Sequence, residues 1–121
     1  MNTALLLMTF LSLKHLIIDF PLQPRYQYSN KGKYGHPGGL LHSFLHGIGT
    51  IICLFAFAPL TLVALLGILD AVLHYHIDWA KVNINAKMGW GPTTHEEFWW
   101  LLGVDQFFHM MTYILIIWMV V

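Results

Sequence analysis

The chain has 121 residues, 57% of them hydrophobic and only 10% charged, whereas a soluble domain carries about 25% charged residues. Six basic and six acidic side chains cancel, which excludes nucleic-acid binding driven by bulk electrostatics, and a single cysteine, Cys53, excludes an internal disulfide. The length allows one compact unit, so a single domain over residues 1–121, resident in a lipid bilayer, is expected.

A bilayer core needs about 20 mostly apolar residues per helix. Residues 1–20 supply a first span, which Pro21 and Pro24 end. That segment has neither a basic n-region nor a small-residue cleavage site, so it is expected to be a retained helix rather than a signal peptide. Residues 39–57 supply a second span. Ala58-Pro59-Leu60 is a tight break, and residues 61–80 supply a third. The polar, glycine-bearing stretch from Lys81 to Thr93 predicts a loop. Thr94-His95-Glu96-Glu97 then has the form of a capping box, with Thr94 as N-cap and Glu97 at N3. The fourth helix, residues 95–121, is longer than a span requires, and Trp99 and Trp100 suit the interfacial aromatic belt. The expected fold is all-α, an integral membrane bundle of four transmembrane helices.

Arg25, Lys31 and Lys33 fall between spans one and two, and Lys81 and Lys87 between spans three and four. The positive-inside rule therefore puts both longer loops in the cytoplasm and both termini outside it, in a multi-pass membrane protein. Lys14, inside the first span, is expected to snorkel toward the cytoplasmic end.

Each span carries one pair of metal-type side chains at i, i+4: His15 with Asp19, His42 with His46, His74 with Asp78, and Asp105 with His109. That spacing puts both members of a pair on one helix face. An ionisable group at mid-bilayer costs about 2.5–3.5 kcal/mol even on the mildest scale, so it faces a partner or a cavity. All four pairs fall toward the cytoplasmic side. Short connections make neighbouring helices antiparallel, so one centre fed by all four is expected.

Imidazole and carboxylate suit zinc first, and also iron or manganese. The five histidines and three aspartates exceed what one tetrahedral ion needs and fit two, so one or two divalent ions are expected. Asp70, one turn deeper than His74, is a further ligand, a partner orienting an imidazole, or a general base. Two readings without metal stay open: a buried His–Asp hydrogen-bond network, and a proton or ion path.

His36 and His95 are expected to be solvated, and His76 to lie on a different face from His74. Gly47, Gly49 and Gly67 are expected to permit close helix packing. Phe107, Phe108, Met110, Met111 and Trp118 are expected to face lipid or packing partners. The loop from Pro21 to Gly38 holds Gln23, Arg25, Tyr26, Tyr28, Lys31 and Lys33 beside the proposed centre. These residues serve either as topology determinants and interfacial anchors or as a clamp for an anionic phosphate. No nucleophile elbow, P-loop or Rossmann fingerprint is present.

His15-x3-Asp19-Phe20 with Leu22-Gln23, Asn30-Lys31, His42-x3-His46, His74-x2-Ile77-Asp78-Trp79-x-Lys81 and Asp105-Gln106-x2-His109 together resemble a family of small bacterial and phage membrane proteins of unknown function. The resemblance runs along nearly the whole chain and implies four spans, with no activity attached. A looser one is to bacterial membrane-bound metal-dependent hydrolases, which carry Gly-His-Arg-Gly-x-Thr-His-Ser and a later His-x3-Asp. Gly35-His36-Pro37-Gly38-Gly39-Leu40-Leu41-His42-Ser43 and His74-x3-Asp78 are similar. The family's Arg and Thr are missing, and His36 stands one residue too far from His42 to be carried over as a ligand.

These features lead us to expect a membrane-embedded metalloprotein, a two-metal hydrolase acting on a phosphoester, such as a phospholipid headgroup, at the cytoplasmic leaflet. The expected ligands are His15, Asp19, His42, His46, His74, Asp78, Asp105 and His109. Asp70 or Asp78 would be the base and Arg25 or Lys31 the phosphate clamp. Two ions would activate water and stabilise charge developing on the phosphoryl oxygens. The alternative is a non-enzymatic membrane protein whose polar or metal centre is structural and which acts through partner binding. Homo-oligomerisation is left open by the sequence.

Overall fold

Helix α1 runs over Thr3–Asp19, α2 over Arg25–Tyr28, α3 over Pro37–Leu54, α4 over Leu60–Met88 and α5 over Glu96–Val120. They belong to a computed structural model that describes residues 2–121; Met1, included in the first expected span, lies outside the described residues. No strand occurs among those described, so the fold is all-α.

Local chemistry sets the ends. Asn2 caps α1, its side-chain oxygen accepting from Ala4 N at 2.8 Å. At the other end the Gln23 side-chain amide donates to the Asp19 carbonyl, which ties the Pro21–Pro24 turn to the last turn of α1. His36 caps α3 by accepting from Gly38 N at 3.0 Å, and Pro37 takes the first helical position, where its missing N–H costs nothing.

Several boundaries depart from the sequence expectation, α3 beginning two residues earlier and ending three residues earlier than the expected 39–57. α4 does not stop at residue 80; it continues through Lys81 and Val82 to Met88 and ends at Gly89, whose φ of 69° places it in the left-handed region. No proline or glycine interrupts residues 81–88, and Asn83 anchors the added turns by donating to Gly32 O at 3.0 Å. α5 starts one residue later than the capping box predicts, with His95 rather than Thr94 at the N-cap. The Thr94 hydroxyl lies 2.8 Å from the His95 ring instead of serving the helix.

α3 packs against both α1 and α4, and α5 touches α4 and α1, closing a four-helix ring; α2 lies on α3. The α3–α4 contact is backbone to backbone. A Cβ added at Gly47 would stand 2.7 Å from Gly67 O, and one at Gly67 would stand 2.9 Å from Gly47 O. Glycine at both positions is what lets these helices meet.

The interior has two halves. Leu7, Leu11, Leu54, Val63, Leu66, Tyr113 and Ile116 fill the half near the chain termini. The other half holds Lys14, His15, Asp19, His42, His46, Asp70, His74, Asp78, Asp105 and His109, all buried. The outside is the reverse, with Leu5, Phe44, Ile52, Ile68, Phe107 and Trp118 exposed. A polar interior under an apolar exterior suits lipid rather than water. α3, α4 and α5 are long and apolar enough to cross a membrane. α1, with 17 residues, reaches about 25 Å at about 1.5 Å per residue.

Candidate metal centre

The i, i+4 pairs converge as their spacing implies. Asp19, from the last turn of α1, is the hub. Its Oδ1 lies 2.9 Å from His46 Nε2, 3.0 Å from His42 Nε2 and 3.6 Å from His74 Nε2. Its Oδ2 lies 3.0 Å from His15 Nε2. Asp78 is a second hub. Its Oδ2 stands 3.3 Å from His74 Nε2 and its Oδ1 3.2 Å from His109 Nε2. Asp105 closes the cluster, with Oδ1 3.6 Å from His109 Nε2.

Two groups have the compactness of a metal-ligand set, Asp19 with His42, His46 and His74, and His74 with Asp78 and His109, and every member is buried. They share His74. One ring nitrogen binds one ion, so both groups cannot use His74 at once. The helix pairs suggest the division. α1 and α3 together offer His15, Asp19, His42 and His46; α4 and α5 offer His74, Asp78, Asp105 and His109. Each set has four donors, the usual number for a closed zinc site.

Outer contacts orient several rings. His42 Nδ1 lies 3.2 Å from Gln27 Oε1, which α2 carries over the cluster. His15 Nδ1 lies 2.8 Å from the Tyr113 hydroxyl, and its Nε2 3.0 Å from Gln106 Oε1. Gln27 holds one nitrogen of His42 and leaves the other facing the cluster, as is usual for metal-ligating histidines, whereas both nitrogens of His15 are already engaged. His46 Nδ1 and His74 Nδ1 are buried without a hydrogen-bond partner.

The charges separate the carboxylates. Lys14 Nζ is 2.7 Å from Asp70 Oδ2, Lys31 Nζ is 2.7 Å from Asp78 Oδ2, and Lys81 Nζ is 3.7 Å from Asp105 Oδ2. Asp19 alone has no lysine beside it; its partners are imidazoles. His46 and His74 stack with ring centroids 3.5 Å apart, and His74 and His109 at 4.1 Å. Stacked rings that close repel if more than one is a cation. A divalent ion among neutral imidazoles, or a single protonated imidazole, can supply the positive charge missing at Asp19.

Other candidate residues fall elsewhere. Lys14 does not snorkel: it turns inward, and its Nζ also reaches Thr50 Oγ1 at 3.1 Å and His46 O at 3.5 Å. Its stem lies over Gly49, where a Cβ would stand 2.7 Å from Lys14 Cγ. That inward Lys14 takes Asp70, which also accepts from Thr50 at 2.5 Å, so Asp70 is held in an ion pair one layer below the cluster and not among its ligands. Lys31 is buried against Asp78, whereas Arg25 heads α2 exposed. His36 is engaged as an N-cap, and His76 bonds Tyr34 and Val72 O at the surface, away from His74.

The sequence reading missed Tyr113, Gln27 and the Lys14–Asp70 pair. Tyr113 had a signal, since Asp105, His109 and Tyr113 continue one i, i+4 face. Gln27 had none, because α2 is a single turn whose direction depends on tertiary contacts.

No curated protein and no solved structure matches the chain. Residues 6–121, which include every member of the cluster, match a family described as "Protein of unknown function (DUF3307)". The chain belongs to that family.

Proposed function

We propose that this chain is a four-span bacterial inner-membrane metalloprotein whose His/Asp centre holds one or two divalent ions, zinc foremost. The observation that carries the reading is Asp19, a buried carboxylate with no lysine partner, ringed by His15, His42, His46 and His74. The exposed apolar face of α1, with Leu5, Leu13 and Leu16, supports counting it as a span beside α3, α4 and α5. The basic residues of the two longer loops support a cytoplasmic position for those loops and outside positions for both termini.

We further propose that the centre hydrolyses a phosphoester presented at the cytoplasmic leaflet. Bound ions would supply activated water and charge stabilisation. The protein's own contribution is Lys31. Its ammonium already rests on a carboxylate oxygen of Asp78 at 2.7 Å, and a phosphoryl oxygen presents the same charge to the same donor. α2 and Gln27 hold that loop over the cluster. The closure of the cluster favours a second reading, a saturated structural metal site.

The test is elemental analysis of protein purified without chelator, combined with X-ray absorption spectroscopy of the metal. A water-type oxygen in the coordination shell, together with phosphoester turnover that Lys31→Gln lowers at unchanged metal content, supports the hydrolase. Saturation by imidazole and carboxylate with no turnover supports the structural site. A metal-free preparation that also fails to take up zinc removes both.

A further inference from the structure

On the loop side, buried Gln27 and Lys31 rest on His42 and Asp78. A groove of about 340 Å³ runs between α4 and α5, within the range of about 300–1,000 Å³ typical of small-molecule sites. Leu73 and Ile77 line it from α4, and Val104 and Phe108 from α5. Lys81, Asp105 and the surface residue His76 are its polar lining residues. Asp105 is 3% exposed. Its Oδ1 has no hydrogen-bond partner and lies 3.6 Å from His109 Nε2. The groove therefore touches the cluster's outer wall.

The polarity of the groove has a direction. Lys81 stands 21 residues beyond Leu60, the start of α4, about 31 Å along the helix at about 1.5 Å per residue. That is about one bilayer core, roughly 30 Å. Lys81 thus reaches phosphate depth when Leu60 sits at the opposite interface, and Leu73 and Ile77 lie below it at acyl-chain depth. A cation above an apolar slot is the complement of an anionic lipid, head above tail. Lys81 also has donors to spare. Its contact with Asp105, at 3.7 Å, is the longest of the three lysine–aspartate pairs, and its side chain is 20% exposed.

We infer that this groove binds one anionic phospholipid of the surrounding leaflet, with an acyl chain between α4 and α5 and the headgroup phosphate on Lys81. The inference deepens the proposed hydrolase and rests on that reading for its meaning: the substrate is an anionic membrane lipid that approaches sideways through the bilayer. Lipid occupancy itself is measurable whatever the centre does.

The experiment is native mass spectrometry of the purified, metal-loaded full chain, incubated with phosphatidylglycerol or phosphatidylcholine of matched chains, with metal content measured on the same samples. The wild-type chain should retain one phosphatidylglycerol with about a fivefold preference, the effect of one lysine on a lipid of net negative charge, since both headgroups carry the phosphate. Lys81→Gln should bring the two lipids to parity. Val104→Trp, which fills the slot, should abolish retention of both at unchanged metal content. Equal retention of the two lipids by the wild-type chain overturns the inference, as does a preference that survives Lys81→Gln. Dimer formation in place of lipid adducts, lost in Val104→Trp, would overturn it in favour of a second copy of this chain. If Val104→Trp does not fold, the Lys81→Gln ratio still decides. A wild-type chain without metal that nonetheless selects phosphatidylglycerol would sink the hydrolase and leave the groove assignment standing.

Discussion

His42 and His74 face each other across the α3–α4 contact with their Nε2 atoms 3.2 Å apart. Two neutral ring nitrogens at that distance need one proton between them or a cation shared nearby. The other nitrogen of His42 is engaged by Gln27, and that of His74 has no partner. Donating from His74 Nε2 would leave its Nδ1 lone pair buried and unmet, at about 1–3 kcal/mol. Binding an ion at Nε2 removes the need for that donation but puts the ring proton on Nδ1, which is then a buried donor without a partner.

The first prediction concerns the ligands. His46 and His74 belong to different four-donor sets, so His46→Ala and His74→Ala should each lower the metal-to-protein ratio. Asp19→Asn should also lose metal, because it removes the carboxylate charge while nearly preserving volume. His95→Ala, at an exposed N-cap, should match the parent chain. Full metal retention in His74→Ala and Asp19→Asn, by mass-spectrometric elemental analysis, would eliminate the centre.

The second prediction concerns the ion pair below the cluster. Lys14 and Asp70 are 5% and 1% exposed at the side chain. Breaking a buried pair by removing one partner costs about 3–5 kcal/mol, whereas replacing both by apolar groups is often near neutral. Asp70→Ala should therefore unfold far more readily in detergent than the Lys14→Met/Asp70→Leu double variant. If the double variant is the less stable one in thermal melts, Lys14 contributes more through Thr50 and His46 O than through Asp70.

Gly47 gives a third. The nearest obstacle to a Cβ there is the Gly67 carbonyl at 2.7 Å, which has no flexible end to move aside. Gly47→Ala should force α3 and α4 apart and destabilise the chain by about 1–3 kcal/mol, the usual overpacking range. His42 and His46 ride on α3 and His74 and Asp78 on α4, so metal affinity should fall with it. Unchanged stability and metal content would mean that the helices slide without loss.

Much of this centre could be read from the residues alone. Four i, i+4 pairs in apolar segments state that four helices share a polar side, because lipid offers those groups no partner. What lay beyond reach was decided by tertiary contacts. Nothing local says that Lys14 turns inward over Gly49 instead of outward to the interface. Nor does the sequence reveal that Lys31 takes Asp78 while Arg25 stays outside. The overrun of α4 past residue 80 was hidden for a related reason: Lys81 to Met88 is polar enough to resemble a loop, and it remains helical with Asn83 anchored on Gly32.

The fourth prediction tests orientation. In a chain with Cys53 replaced by Ala, a membrane-impermeant thiol reagent applied from outside should label Val121→Cys in intact spheroplasts and Ser29→Cys only after lysis. The reverse pattern would invert the proposed topology.

The position of Asp19 bears on how the chain reaches its membrane. α1 is synthesised before every helix that supplies partners to Lys14, His15 and Asp19: α3 brings His42 and His46, α4 brings Asp70 and His74, and α5 brings Gln106 and Tyr113. At the translocon, a charged residue at mid-helix adds about 2.5–3.5 kcal/mol to the free energy of insertion, and one at the helix end, such as Asp19, adds less. In the proposed four-span arrangement, α3 brings the first partners, His42 and His46 for Asp19 and Thr50 for Lys14, and only the carboxylate of Asp70 waits until α4 has emerged. A nascent chain cut after Leu54 would then hold Asp19 against its two α3 imidazoles but leave the Lys14 ammonium without its carboxylate, so the first helix commits in two steps, one with α3 and one with α4.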